Sequence, residues 1–220
     1  MKNNQRPRFA SVVFDADSTL ASIEGIDWLG ARRELDVGRV VQNLTTRAMA
    51  GELPLEQVYA LRLDAIRPTR SEISLLSDAY IDAIEPGALL LLQQLRDANV
   101  KLAIVSGGLR AALVPLASML SIPAHDVHAV DLIFDNHGEY VSLAPSQPLS
   151  QQQGKPVIVR ALNLPRRSVM IGDGSTDAAV RGVTNEFIAY TRVARRELVV
   201  ASADAEARDF IELTKLLFES

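Results

Sequence analysis

Three short clusters of acidic, hydroxyl and glycine residues contain the groups that could carry out acid–base chemistry or bind a cation. They are Asp15-Ala16-Asp17-Ser18-Thr19, Ser106-Gly107-Gly108 and Gly172-Asp173-Gly174-Ser175-Thr176-Asp177. Carboxylates can act as nucleophiles, acids, bases or ligands of hard cations, and hydroxyl or backbone N–H groups can hold the oxygens of an anion. Asp15 and Asp17 stand two residues apart and repel each other, which predicts a nearby cation or an added proton.

Each cluster taken alone has a plain structural explanation. Asp15 and Asp17 could cap a helix, Ser106 could be the N-cap of the helix that follows it, and Gly172-Asp173-Gly174 could be a simple turn. Their shared position favours function, because each cluster follows a short apolar run of the kind that forms a strand buried on both faces of a parallel sheet. Ligands bind at the carboxyl ends of such strands. We therefore expect the three clusters to meet in one crevice.

The elements that must position these clusters alternate between strands and helices. Apolar runs predict strands at Phe9–Phe14, Lys101–Val105, Val169–Ile171 and Phe187–Tyr190, and amphipathic stretches predict helices at Pro86–Leu95, Leu109–Leu120, Pro156–Leu162 and Glu206–Phe218. This alternation predicts an α/β fold with a doubly wound parallel sheet.

Two interruptions of the alternation predict additional units. The first and second strands are separated by roughly three times the ~30 residues of a simple βαβ unit. Helical patterns fill this gap at about Ile23–Leu35, Gly38–Ala50, Leu55–Ile66 and Ser71–Ile84. We therefore expect a core domain of residues 1–21 and 87–220, with a small helical cap of residues 22–86 inserted after the first strand. A β-hairpin is predicted from Val127–Asp135 and Glu139–Leu143, with its turn at Asn136-His137-Gly138.

Composition excludes several classes of function. The chain has 220 residues, of which 48% are hydrophobic and 23% charged, and a formal net charge of −4. This mildly acidic balance argues against binding to nucleic acid or to anionic membranes. No cysteine is present, which rules out a thiol nucleophile and cysteine-ligated metals. No stretch resembles a signal peptide or a membrane span, so a cytoplasmic location is predicted.

Two further groups of residues favour structural roles. His125 and His128 have a spacing found in metal sites, but no third ligand is evident nearby. Arg192, Arg195 and Arg196 form a small basic cluster that is predicted to be a solvated helix face.

The three clusters and Gly154-Lys155 together resemble the four motifs of haloacid-dehalogenase-type phosphatases. The resemblance covers about Phe9 to Leu217 and is closer to the members that hydrolyse phosphoserine. Segments that resemble the cap and hairpin of those members are Glu24-Gly25-Ile26-Asp27, Thr45-Thr46-Arg47-Ala48-Met49-Ala50-Gly51, Arg62-Leu63 and Gly138-Glu139-Tyr140.

The resemblance implies a Mg²⁺-dependent phosphomonoesterase that hydrolyses O-phospho-L-serine in serine biosynthesis. It makes Asp15 the nucleophile, which would form an aspartyl-phosphate. Asp17 would protonate the leaving alkoxide and then take a proton from the hydrolytic water. The Ser106 hydroxyl and the Gly107 backbone N–H would hold phosphoryl oxygens, and Lys155 would neutralise part of the negative charge.

The resemblance also implies a metal site. Mg²⁺ would be bound by the carboxylates of Asp15 and Asp173 and by the backbone carbonyl of Asp17, with Asp177 in support. Three carboxylates and a phosphate ester carry more negative charge than Lys155 can balance, so a divalent cation is required.

Substrate selection is expected in the cap. The resemblance assigns Glu24 to the ammonium group of a phosphorylated amino acid and Arg62 to its carboxylate, with Met49 and Thr176 also lining the substrate. Considered on spacing alone, a helical Glu and Arg would more often be solvated or surface-paired. The chain departs from the family pattern at Leu55, where Phe is common, at Gln152-Gln153, which replace a Gly-rich stretch, and at Tyr190-Thr191-Arg192. These departures affect the expected substrate and leave the expected reaction class unchanged.

Other functions remain open on the sequence alone. The phosphoryl group could pass to an acceptor alcohol such as homoserine, or the substrate could be another small phosphorylated metabolite. A non-enzymatic phospho-receiver would also use an Asp on a doubly wound sheet, but the long helical insert and Asp17 disfavour it. A binding module without turnover is disfavoured because every phosphoryl-transfer position is filled. The protein is expected to act as a monomer or homodimer.

Overall fold

Six parallel strands form the central sheet of a computed structural model, which describes residues 6–49 and 54–219. The strands lie in the order β3-β2-β1-β6-β7-β8. Their bounds are β1 Ser11–Phe14, β2 Lys101–Leu109, β3 Val127–Val130, β6 Ser168–Gly172, β7 Glu186–Tyr190 and β8 Ala205–Ala207. A separate antiparallel pair joins β4 (Leu132–Phe134) to β5 (Tyr140–Leu143).

The central strands are buried on both faces, as their continuous apolar runs predict. Every residue of β1 and of β6 is buried, and Val12, Val13 and Phe14 are fully inaccessible to solvent. The helices of the core lie against this sheet; their bounds are α5 Ala88–Asp97, α6 Arg110–Met119, α7 Gly154–Ala161, α8 Ser175–Ala178, α9 Glu197–Ser202 and α10 Phe210–Leu217. The predicted α/β class with a mostly parallel sheet is therefore confirmed. Among the described residues, no helix has the length and apolar character needed to cross a bilayer.

In the described part of the insert between β1 and α5 there are four helices. They are α1 Gly25–Gly30, α2 Leu35–Met49, α3 Leu55–Ile66 and α4 Arg70–Asp82. The two ends of the insert are held together, because the Ser22 N–H donates to the Ala83 carbonyl and the Glu85 N–H donates to the Leu20 carbonyl, both at 2.9 Å. This arrangement suits a cap attached to the core at one place, and we propose residues 22–86 as its extent.

The hairpin differs from the sequence prediction in one arm. Val127–Val130 forms the edge strand β3 of the main sheet, and only β4 and β5 form the hairpin. The turn lies where it was predicted: the Asp135 carboxylate accepts from the His137 and Glu139 N–H groups, and Gly138 adopts φ +84°. The single apolar run of the sequence thus contributes to two different sheets.

The chain end also departs from prediction. The helix expected at Glu206–Phe218 begins only at Phe210, because Asp209 is its N-cap and accepts from the Ile211 and Glu212 N–H groups. Ala205–Ala207 instead adds a strand beside β7.

Candidate active site

The first and third predicted clusters meet at the centre of the sheet. Strand β1 lies between β2 and β6, with Phe14 in register with Ile104 on one side and Ile171 on the other. The Asp15 N–H donates to the Ile171 carbonyl at 2.9 Å, which places Asp15 beside the end of β6. Strand order reverses direction at β1, and such a switch point is where open α/β sheets bind ligands.

Three buried carboxylates converge at this point. One carboxylate oxygen from each of Asp15, Asp173 and Asp177 lies within 4.8 Å of the other two, and the residues are 7%, 5% and 0% exposed, respectively. Asp177 stands in the first turn of α8, where its second oxygen accepts from the Gly174 N–H at 3.0 Å. Three buried carboxylates so close together need positive charge to stay ionised. Their hard oxygen donors fit Mg²⁺.

Lys155 supplies one of these positive charges. Its Nζ lies 2.9 Å from Asp15 Oδ2 and 2.6 Å from Asp177 Oδ1, and the residue is buried. Burial alone would lower the pKa of Lys155, but the Asp15 and Asp177 carboxylates outweigh this effect and raise the pKa. The ammonium group therefore stays charged and links two of the three carboxylates. Gly154 permits this placement, since a Cβ there would collide with the backbone of Pro148.

The side chain of Asp17 is held by two residues of the insert. Its Oδ1 accepts from the Gly25 N–H at 2.9 Å and from the Tyr80 hydroxyl at 2.5 Å. Burial, together with the carboxylates of Glu24 and Asp15, raises the pKa of Asp17 to about 8. A carboxyl group with this pKa is protonated at neutral pH, as a general acid must be before it acts.

The second cluster lies within β2, whereas the sequence placed it after the strand. The pairing of β2 with β3 becomes irregular between Val105 and Leu109, and this segment contains Ser106 and Gly107. The buried Ser106 hydroxyl oxygen accepts from the Gly108 N–H at 3.1 Å. Since α6 begins at Arg110, Ser106 is not its N-cap, and that structural explanation is wrong.

The residues predicted to select the substrate are only partly brought together. Glu24 accepts from the Ser18 hydroxyl at 2.7 Å, beside the first cluster. Arg62 forms an ion pair with Asp27, and among the described residues it has no ion pair with Glu24. Thr176 is half-buried in the first turn of α8. The side chains of Met49 and Leu55 lie outside the described part of the chain.

Three residues that the sequence analysis did not place in the site reach it in the structure. The Tyr59 hydroxyl donates to the Gly107 carbonyl at 2.7 Å, and Tyr80 contacts Asp17. Arg196 pairs with the Asp173 carboxylate and donates to the Asp173 carbonyl at 3.0 Å. A buried tyrosine hydroxyl needs a polar partner. The position of Tyr59 and Tyr80 on apolar helix faces could therefore have predicted that their hydroxyls contact polar groups inside the protein.

The three arginines do not form the predicted helix face, although Arg192 and Arg195 are exposed to solvent as expected. Arg196 immediately precedes α9, which begins at Glu197. Arg192 pairs with the buried Glu85 and Arg195 with Glu206, so all three guanidinium groups have carboxylate partners. Local sequence does not reveal the pairs with Glu85, Asp173 and Glu206, which lie on other segments of the chain, whereas Glu197, a second partner of Arg195, is only two residues away.

Comparison with known proteins agrees with this geometry. A model of the haloacid dehalogenase-like hydrolases matches residues 12–181. Two curated relatives are the chloroplastic phosphoserine phosphatase of Arabidopsis thaliana, 37% identical over 88% of this chain and 67% of its own, and the phosphoserine phosphatase of Bos taurus, 32% identical over 95% and 93%. A phosphoserine phosphohydrolase-like protein from Francisella tularensis has a similar structure, with TM-score 0.83, 27% identity and coverage of 94% of this chain and 98% of its own.

The match over most of the sheet and all four motifs defines the class of protein as a haloacid dehalogenase-like hydrolase, a phosphoric monoester hydrolase of the phosphatase type. At 32–37% identity over most of the chain, it belongs to the phosphoserine phosphatase family within that class.

Proposed function

We propose that this protein hydrolyses O-phospho-L-serine to L-serine and phosphate, using Mg²⁺ and an aspartyl-phosphate intermediate. The observation that carries the proposal is the meeting of Asp15, Asp173, Asp177 and Lys155 at the switch point of the sheet, close to Asp17, whose pKa is raised to about 8 by burial and by the neighbouring carboxylates. Two carboxyl groups in different environments divide the work of nucleophile and acid.

The chain's own residues supply each proton and bond change. An Asp15 carboxylate oxygen attacks phosphorus, and the bond from phosphorus to the serine oxygen breaks. Asp17 gives its proton to the departing alkoxide, so L-serine leaves as a neutral alcohol. The Asp17 carboxylate then takes a proton from water, and the water oxygen attacks phosphorus. The bond between phosphorus and the Asp15 oxygen breaks, which releases phosphate and restores the Asp15 carboxylate. Ser106 and the Gly107 N–H would hold the phosphoryl oxygens during both steps.

The three carboxylates and the Asp17 carbonyl are the groups that would hold Mg²⁺. When bound, the ion would balance charge between Asp15 and a phosphoryl oxygen. Arg196 pairs with the carboxylate of Asp173, which is one of these groups. Lys155 remains with Asp15 and Asp177 and provides the charge that does not depend on metal.

A panel of phosphate esters tests the proposal directly. We expect phosphate release from O-phospho-L-serine with Mg²⁺. A chelator should remove at least about 90% of that rate, because the negative charge of the carboxylate cluster is then not balanced. The rate of phosphate release from phosphoserine is compared with the rates from phosphothreonine, phosphoethanolamine and glycerol phosphate. Failure with phosphoserine but success with another ester would overturn the substrate and keep the reaction class. A rate of free phosphate release that falls when homoserine is added would indicate transfer to an acceptor.

Arg62→Met tests how the cap recognises the substrate. If Arg62 binds the carboxylate of phosphoserine, the variant should raise KM about tenfold or more, since a charged hydrogen bond is lost. Phosphoethanolamine lacks the carboxylate, so its KM should change by less than about twofold. Arg32→Met is the matched control, because Arg32 is an exposed cap arginine stacked on Trp28. An equal change for both esters would assign Arg62 to cap structure instead.

The cytoplasmic location, the monomeric or homodimeric state and the role in serine biosynthesis remain predictions. They rest on the sequence and on the family.

A further inference from the structure

The side chain of Asp17 takes its orientation from the insert. Asp17 follows β1 in the core, yet both donors to its Oδ1 belong to the insert: the Gly25 N–H at the start of α1 and the Tyr80 hydroxyl near the end of α4. No other hydrogen bond to the Asp17 carboxyl is present among the described residues. The group expected to move protons is therefore anchored by the cap.

Both hydrogen bonds are accepted by Oδ1, so the two oxygens of the Asp17 carboxyl group have different roles. Oδ1 accepts from two donors and cannot carry a proton toward either of them. Oδ2 faces the phosphate-holding segment: a Cβ built on Gly108 would lie 3.0 Å from it. The proton that Asp17 donates must therefore be on Oδ2, the oxygen directed at the segment Ser106–Gly108.

Close packing surrounds the Tyr80 side chain. The residue is fully buried, in line with Ile73, Leu76 and Ser77 on the buried face of α4. Two glycines make room for its hydroxyl: a Cβ on Gly25 would overlap the Tyr80 hydroxyl, and one on Gly108 would lie 3.3 Å from it. Tyr80, Gly25 and Gly108 thus all lie close to the Asp17 carboxyl group.

We propose that Tyr80 is a positioning residue for proton transfer: its hydroxyl fixes Asp17 with Oδ2 directed at the leaving group. The inference rests on the proposed phosphatase function and adds to it a residue of the cap that acts through Asp17. Tyr80 itself exchanges no proton with substrate. Without its hydrogen bond, the Asp17 carboxyl can rotate about its side-chain torsions, and Oδ2 no longer points at the ester oxygen.

The test compares two leaving groups in Tyr80→Phe. A serine alkoxide needs a proton to depart, whereas p-nitrophenolate departs without one. In a reaction with a covalent intermediate, kcat/KM covers only the steps up to departure of the leaving group. We expect kcat/KM for phosphoserine to fall about tenfold or more and that for p-nitrophenyl phosphate to change less than about twofold, because only the first needs an aligned acid.

Controls separate positioning from structure. Tyr140→Phe removes a hydroxyl that donates to Asp64 at 3.2 Å outside the site and should leave both values of kcat/KM near the wild type. Gly25→Ala displaces the Tyr80 hydroxyl by another route and should repeat the leaving-group pattern of Tyr80→Phe. Thermal unfolding of each variant confirms that it folds.

Three results would overturn the inference. They are equal losses for both esters in Tyr80→Phe, no loss for either, or a Gly25→Ala variant that behaves like wild type. Failure of the proposed function looks different, because wild-type protein would then release no phosphate from phosphoserine. If wild type hydrolyses another alkyl phosphate in place of phosphoserine, that ester serves in the same comparison.

Discussion

Asp15→Asn should reduce the rate of phosphate release by about a thousandfold or more, since losing a nucleophile typically costs on the order of 10³–10⁶ in kcat. An amide oxygen is a poor nucleophile toward phosphorus, so no aspartyl-phosphate should form. Mass spectrometry of enzyme quenched in acid during turnover would detect the phosphorylated aspartate in wild type and not in the variant. The variant should still fold, because Lys155 keeps its contact with Asp177.

Asp97→Asn provides the matched control. Asp97 is exposed at the end of α5 and takes no part in the carboxylate cluster, so the variant should keep wild-type kinetics. If Asp15→Asn retained substantial turnover, covalent catalysis through Asp15 would be excluded. A phosphorylated residue other than Asp15 would move the nucleophile elsewhere in the site.

Of the substitutions considered, Lys155→Met should lower the stability of the protein most. The substitution keeps a similar volume but leaves the buried carboxylates of Asp15 and Asp177 without their shared cation. Removing one partner of a buried pair costs about 3–5 kcal/mol in the free energy of unfolding. Urea denaturation in the presence of a chelator measures this loss without compensation by metal.

The cost of Lys155→Met should depend on pH. Burial, followed by the Asp15 carboxylate, already raises the pKa of Asp177 to about 7 in the wild type. Loss of the ammonium raises this pKa further, so the folded variant binds more protons than its unfolded chain. The stability of the variant therefore falls as pH rises through neutrality. The free energy of unfolding lost relative to wild type should be greater at pH 8 than at pH 5. These two pH values lie about one unit above and about two units below the wild-type pKa of Asp177.

Lys101→Met is the control for burial of the charge. Lys101 pairs with Asp126 where the side chain is 42% exposed, and its loss should cost no more than about 1 kcal/mol. Similar losses for the two lysines, or a cost for Lys155→Met that is independent of pH, would contradict the account of a buried, charge-balanced cluster.

The sequence predicts those parts of the fold in which local pattern and burial agree. Strands buried on both faces must be apolar throughout, and this is why Phe9–Phe14 and Val169–Ile171 identify β1 and β6. Because the order of parallel strands brings their carboxyl ends together, the meeting of Asp15 with Asp173 and Asp177 could also be predicted.

Contacts between distant elements could not be predicted in the same way. Nothing in the local pattern of Val127–Asp135 shows that the run leaves the main sheet after Val130 and begins a hairpin at Leu132. Arg196 has no periodic signature that directs it to Asp173, because the loop before α9 sets its position. Tyr80 is predictably buried by its helical spacing, but its partner Asp17 is 63 residues away.

The pairing of β1 with β6 has a consequence for how the molecule comes to be active. Thr19 and Asp173, whose side chains meet at 3.5 Å, are 154 residues apart. Contacts of such long range close a large loop and tend to form late in folding. During synthesis, a nascent chain extending only to the end of α7 already carries Asp15, Asp17 and Lys155, but β1 still lacks its neighbour on one side. Catalytic competence is therefore acquired only after β6 has been made and inserted beside β1.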